Sequence, residues 1–240
     1  MNSEDNFIPS IYNYCDRWCE RCEFTDRCRV YAMESERGLE DSDGPMGDAI
    51  RTVAQSLAEA KQMLMEHAEE IGIDVEATLT DPEIEESLER QRAAVENFEA
   101  VELAKQYALE GRHVLEASGD WLNKTDDPMA EEMIEILQWY LFFVAAKVHR
   151  GYHGIVDLDG DEDWEALQDI QSDANGTIKI ALIAIERSIL AWTYLLSKEN
   201  GDVIPPQIEL LEKLKLLVET KFPNARSFIR PGFDEIEMVM

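Results

Sequence analysis

Basic residues are scarce in this chain: 22 lysines and arginines stand against 51 aspartates and glutamates in 240 residues, a formal charge of −29. A surface of that sign repels phosphate backbones and anionic lipid, so nucleic acid is not an expected partner. Solubility or a salt-rich environment accounts for such a charge; its functional use would be to bind a basic protein partner or cations. Long apolar runs are missing too. The most apolar stretch, 178–196, is interrupted by Lys179, Glu186 and Arg187, short of the ~18 uninterrupted apolar residues of a membrane span. The opening MNSEDNFIPS has neither a basic start nor an apolar segment of signal-peptide length, and the expected setting is the cytoplasm. No phosphate-binding glycine loop and no nucleophile–base pair is evident, so an independent enzyme is not expected. Cysteine is absent after residue 28.

Runs of alternating β-branched residues, the mark of a sheet, are also lacking. The remaining pattern is helical, and the expected fold is all-α: a bundle of about five helices behind an N-terminal four-cysteine metal-binding segment. Residues 1–38 form that segment, 39–47 a Gly/Asp/Ser-rich linker, 48–222 the bundle and 223–240 an irregular tail. The first helix is expected over Met46–Ile71, ending at Gly72, with Ile50, Val53, Leu57 and Leu64 at helical spacing. A second begins at Asp81-Pro82, where Asp can cap and Pro can occupy the first turn, and runs to about Leu115. A third starts at Asp127-Pro128 and closes at Gly151 and Gly154; a fourth covers Asp163–Lys198; a fifth runs from Pro205 to about Phe222. Trp139–Ala146 (WYLFFVAA) and most of Ile180–Ile185 are apolar on every face, the mark of a buried helix. The third and fourth helices are therefore expected at the centre, covered by the first, second and fifth.

All four cysteines lie within fourteen residues as C-x3-C-x2-C-x5-C: Cys15, Cys19, Cys22 and Cys28. Disulfides suit small secreted domains, and four thiols this close would close small, strained loops, so one four-thiolate metal site is the expected use. Zinc takes four thiolates in a tetrahedron, often on tight C-x2-C turns. An iron–sulfur cluster takes four thiolates from compact runs. In a regular helix Cys15, Cys19 and Cys22 at i, i+4 and i+7 would share a face but spread too far for one zinc ion. A 4Fe-4S cluster accommodates that spread and is placed first, zinc second. Tyr12, Tyr14, Trp18, Phe24 and Tyr31 could shield the site, and Arg17, Arg21, Arg27 and Arg29 could offset thiolate charge.

The C-x3-C-x2-C of Cys15, Cys19 and Cys22 resembles the cluster-binding triad of radical S-adenosylmethionine enzymes. That resemblance implies a partial β/α barrel and an open iron position; this chain has no strand pattern for the barrel, and Cys28 would fill the open position. The overlapping C-x2-C-x5-C of Cys19, Cys22 and Cys28 is similar to part of an auxiliary-cluster motif in the same superfamily, which implies a fully ligated cluster.

Weaker constellations occur elsewhere. Asp157, Asp159, Asp161 and Asp163 start like a calcium-binding EF-hand loop, but Glu162 replaces its glycine and Gln168 its bidentate glutamate. Glu110-x-x-His113, with Glu135 and Glu186, is half of a di-iron carboxylate set. Glu131-Glu132-x-x-Glu135 is half of a helical nucleotide pyrophosphatase motif. The embedded polar residues Glu135, Lys147, His149, Arg150, Lys179, Glu186 and Arg187 must be paired or serve a ligand, because charge on a buried helix is otherwise too costly. An internal network joining Glu186 to Lys147 or Arg150 is the expected arrangement, and an interhelical pocket lined by these residues the alternative.

Overall fold

The computed structural model describes residues 6–36, 44–117, 126–198 and 202–234, with backbone alone at 36, 44–53 and 56. Among them there is no strand, only an isolated bridge between Val156 and Glu162. The described α-helices are α1 (Arg29–Glu36), α2 (Gly44–Ile71), α3 (Val75–Leu79), α4 (Pro82–Glu96), α5 (Glu99–Ala117), α6 (Pro128–His153), α7 (Trp164–Gln168), α8 (Asp173–Lys198) and α9 (Pro205–Lys221). The chain divides into two compact units: one of Met1–Phe7 with Glu23–Glu89, the other of Ile8–Cys22 with Arg90–Met240. The expected linker at 39–47 falls largely outside the described residues.

The second unit is the helical bundle. Its α6 begins where the sequence places it: Asp127 accepts from the Met129 amide at 3.1 Å and Pro128 occupies the first turn. The expected stop at Gly151 does not occur, and α6 continues to His153 with Gly154 as its cap. Gly151 instead lets α8 approach: a Cβ there would lie 2.4 Å from Ile178 Cδ1 and 2.5 Å from its Cγ1. Along this contact Val144, Val148, Ile178, Ala181 and Ile185 are fully buried, each larger side chain contributing roughly 1.5–3 kcal/mol. Helix α5 packs on α6, and α9 packs on both α5 and α8.

Two expected helices are each broken in two. The second is interrupted at Asn97-Phe98, where Phe98 sets its ring 4.7 Å from Tyr152 and the chain restarts as α5. The fourth is interrupted at Asp169–Ser172. Asp163 caps the short α7 through the Glu165 and Ala166 amides. Asp169 then takes the Gln171 amide, and Ser172 donates to the Ala166 carbonyl at 2.7 Å while accepting the Asn175 amide. Short polar side chains that bond local backbone in this way compete with helix continuation.

Within the second unit, burial departs from expectation at two places. Trp139 and Phe142 are exposed, so the WYLFFVAA run is not covered on every face. On α2, in the first unit, Leu57, Met63, Leu64 and Met65 are exposed. Beyond α9 the tail is packed through residue 234: Phe222, Ala225 and Phe228 are buried, and Lys179 donates to the Phe228 carbonyl. By length and composition α8 matches a membrane span at mean hydropathy 1.4, yet half of its apolar window is buried within the bundle, as a core helix requires.

Candidate metal centre

The segment that carries the first three cysteines is not helical. It runs through 3-10 turns at Ile11–Asn13 and Cys19–Arg21, with Arg17 between them at φ 60°, a left-handed conformation that costs a non-glycine residue roughly 1 kcal/mol. Cys22 follows the second turn in extended conformation, its amide bonded to the Cys19 carbonyl at 3.2 Å. In the other unit Cys28 repeats the pattern after the turn Thr25–Arg27: it is extended, its amide bonds the Thr25 carbonyl at 3.4 Å, and its carbonyl accepts the Ala32 amide as α1 begins. The i, i+4, i+7 helical face that favoured a large cluster over a single zinc ion is therefore not formed. All four cysteines carry thiols rather than disulfides, and all are half-buried. The Cys15 thiol donates weakly to the Tyr12 carbonyl at 3.6 Å.

Asp16 fixes this segment to the bundle. Its carboxylate accepts from Tyr140 Oη at 2.6 Å, from Arg187 Nη1 at 2.9 Å and from the Trp18 amide at 3.2 Å, and its carbonyl accepts from Trp139 Nε1 at 2.9 Å. Arg187 also donates to Tyr140 Oη. Two residues on, the Trp18 ring stacks on Trp139 with centroids 5.1 Å apart and 14° between planes, and Arg21 lies 4.1 Å above Trp18. Arg21 reaches Glu132 and Glu135 of α6. Upstream, Tyr14 donates to Asp173, which Arg150 holds at 3.0 Å, and the Tyr14 ring lies 4.6 Å from Phe228. Gly176 permits that approach, since a Cβ there would stand 2.5 Å from Tyr14 and 2.6 Å from Phe228.

Electrostatics follow from these contacts. Burial pushes the Tyr140 phenol far above its ordinary value, reinforced by the Asp16 carboxylate that accepts its proton. Burial lowers the Lys147 ammonium, and Arg150 adds to this; the Cys15 thiolate and Asp173 act in the opposite sense. Lys147 also donates to the Asn13 carbonyl at 3.4 Å, so a cation and a thiol share this corner. Beside Cys28, Arg27 Nε is buried without a hydrogen-bond acceptor.

The embedded polar residues are paired, but not with one another as expected. Glu186 meets Lys215 and Arg226 rather than Lys147 or Arg150. Lys179 meets Asp234 at 2.7 Å, and His149 meets Glu96 at 3.6 Å. Glu135, Lys147, Arg150 and Arg187 all serve the 13–21 segment or its neighbour Asp173. Of this set, Glu186 also lines a cleft between α8 and α9 with Leu190 and Leu216, and Glu135 one with Trp18 and Trp139. The di-iron set is not gathered: Glu110 accepts from Gln106 and His113 lies near Glu116. In the acidic loop Asp157 Oδ1 accepts the Asp159 and Asp161 amides while Asp163 caps α7, so those oxygens serve the backbone.

Asp16, Trp139 and Tyr140 are the residues that sequence reasoning missed as a site; the available signal was Arg187, a cation on an apolar helix that demanded an acidic partner. The donor chemistry of four thiols suits a soft metal or cluster. Among the described residues, however, no three His, Cys, Asp or Glu side chains are gathered closely enough to hold an ion. Comparison with protein-family models, curated proteins and solved structures finds no match for this chain.

Proposed function

We propose that Cys15, Cys19, Cys22 and Cys28 supply four thiolates to one metal centre, an iron–sulfur cluster in the first reading. The helical bundle would carry it as a cytoplasmic redox or accessory protein rather than as an independent enzyme. The observation that carries this reading is the set of four half-buried thiols within fourteen residues, three of them at two successive 3-10 turns that each end in an extended cysteine. Loading such a centre would order the 15–28 segment around the metal, and binding free energy then becomes folding free energy for that segment. The buried Arg27 Nε beside Cys28 favours the cluster: an N–H without an acceptor can bond a sulfide or thiolate sulfur, which also tunes cluster potential.

Zinc is the second reading, favoured by the Cys19–Cys22 turn, since a C-x2-C on a tight turn suits a tetrahedral site and the helical spread that counts against zinc is absent. In that case the centre is structural and the acidic surface docks a protein partner, a basic one by charge. Anaerobic purification separates the two. Broad visible absorption with bound iron and sulfide supports the cluster; a colourless protein with stoichiometric zinc sinks it and supports the second reading. Cys22→Ser should lose the metal and loosen the 15–28 segment while leaving most of the helical circular dichroism. Unchanged metal content in this variant would overturn the four-thiolate centre itself.

A further inference from the structure

The longest described helix, α2 of the first unit, is 28 residues and hence about 42 Å long. Its described part repeats at the 3-4 spacing of a coiled-coil seam: Leu57, Ala60, Leu64, His67 and Ile71, all exposed. The same spacing starts at Ile50 and Val53 in the sequence, so the pattern spans three heptads, the length at which a heptad reads as a coiled coil rather than as chance amphipathicity. Leu57, Leu64 and Ile71 share the a position and stand 66%, 59% and 55% exposed.

The charges beside the seam say what can cover it. In a chain of −29, any acidic face repels a second copy. The flanking positions of this stretch carry Lys61, Met63, Ala68 and Glu70, whose charges sum to zero and of which Ala68 is already buried, while Glu59, Glu66 and Glu69 fall on the far side of the helix. An identical helix thus meets a seam that is apolar except at His67, with little like-charge repulsion at the contact, and a self-complementary helical stripe is what a two-fold interface uses. We propose that α2 pairs with α2 of a second copy of this chain, making the protein a coiled-coil homodimer. This proposal does not rest on the metal centre.

Sedimentation velocity of the full chain under reducing conditions tests it, over about 1 to 200 µM protein. The expected result is a doubling of mass with rising concentration. Raising salt should shift that doubling to lower protein concentration, because it screens repulsion between two acidic bodies and leaves an apolar seam intact. Leu57→Glu with Leu64→Glu should give a monomer whose helical signal away from α2 is retained. The Ala pair at these positions, which keeps helix propensity, should weaken association at least 10-fold. Leu190→Glu, on an exposed face of α8, should leave the dimer unchanged. A monomer at every concentration, a dimer that dissolves as salt rises, or a dimer indifferent to both Leu57/Leu64 pairs overturns the proposal.

Discussion

Asp16→Ala is the most informative single change to the docked segment. It removes the acceptor for the buried Tyr140 hydroxyl, for Arg187 and for the Trp18 amide. A hydrogen bond to a charged group contributes roughly 1.5–3 kcal/mol when buried. The Arg187 side chain is 51% exposed, so its bond is counted at no more than about 1 kcal/mol. Taking about 2 kcal/mol for Tyr140 and allowing for the weaker Trp18 amide, the segment should lose about 3 kcal/mol of docking free energy. The loss should be local, because α6 and α8 keep their own apolar contact and only the 8–22 stretch depends on Asp16.

Amide hydrogen exchange reads this directly. A loss of about 3 kcal/mol corresponds to roughly 100-fold faster exchange at protected amides such as those of Tyr14, Arg21 and Cys22, with little change in α6 or α8. Asp16→Asn keeps one acceptor without the charge and should fall between wild type and Asp16→Ala. Tyr140→Phe should cost less than Asp16→Ala, since Arg187 still reaches the carboxylate. Unchanged exchange over 11–22 in Asp16→Ala would refute the latch. Equal acceleration through α6 and α8 would refute the locality, showing that the segment and the bundle unfold together.

Three further substitutions probe other contacts within the second unit. Gly176→Ala should destabilise by about 1–3 kcal/mol through overpacking against Tyr14 and Phe228, despite the better helix propensity of alanine; a stabilised variant in urea denaturation would show that these rings are not fixed there. Burial raises the Asp234 carboxyl, but hydrogen bonds from Arg230 and Lys179 reverse this and leave it well below the ordinary carboxylate range. Its stabilisation is therefore complete above about pH 4 and lost as pH falls below that, so Asp234→Asn should be less stable at pH 7 and show a shallower loss on acidification; a parallel acid limb would contradict the pairing. Tyr107, fully buried and pushed by that burial up to about 12, accepts from Trp192 Nε1 at 3.3 Å, so Tyr107→Phe should cost about 1–3 kcal/mol by thermal melting.

The helical class, the starts at Asp127-Pro128 and Pro205, and the end of α2 at Gly72 were legible because each depends on local chemistry: a cap, a fixed φ, a residue that tolerates the left-handed region at φ 75°. What was not legible depended on distant partners. Phe98 breaks a helix because Tyr152 lies beside it, and Gly151 sits inside a helix because Ile178 needs its space. Both are tertiary effects that override local propensity. The cysteines were legible as a motif, but their backbone was not. Spacing of i, i+4, i+7 invites a helical reading, whereas Arg17 at φ 60° and the turn at Cys19–Arg21 break that periodicity.

The polar residues of α6 and α8 carry the more general lesson. A charge on an apolar helix needs a partner, and the natural place to seek one is another helix of the bundle. Here Arg187 and Tyr140 find Asp16, Glu135 finds Arg21, and Lys179 finds Asp234; each partner lies in an irregular segment near one end of the chain. The central helices thus specify where those segments bind, through directional contacts that an apolar surface alone would not provide. The proposed metal centre would be coupled to these contacts. Asp16 sits between Cys15 and Cys19, so closing the thiolates around an ion must either preserve the Asp16 contacts or break them. If they are preserved, Asp16→Ala should weaken metal retention as well as docking, because the segment is then held in part by the bundle. If they break on loading, Asp16→Ala should strengthen retention by removing the competitor. A chelator challenge of the loaded protein, with and without Asp16, distinguishes these couplings, and by linkage the same measurement gives the sign with which metal reports on the docked segment.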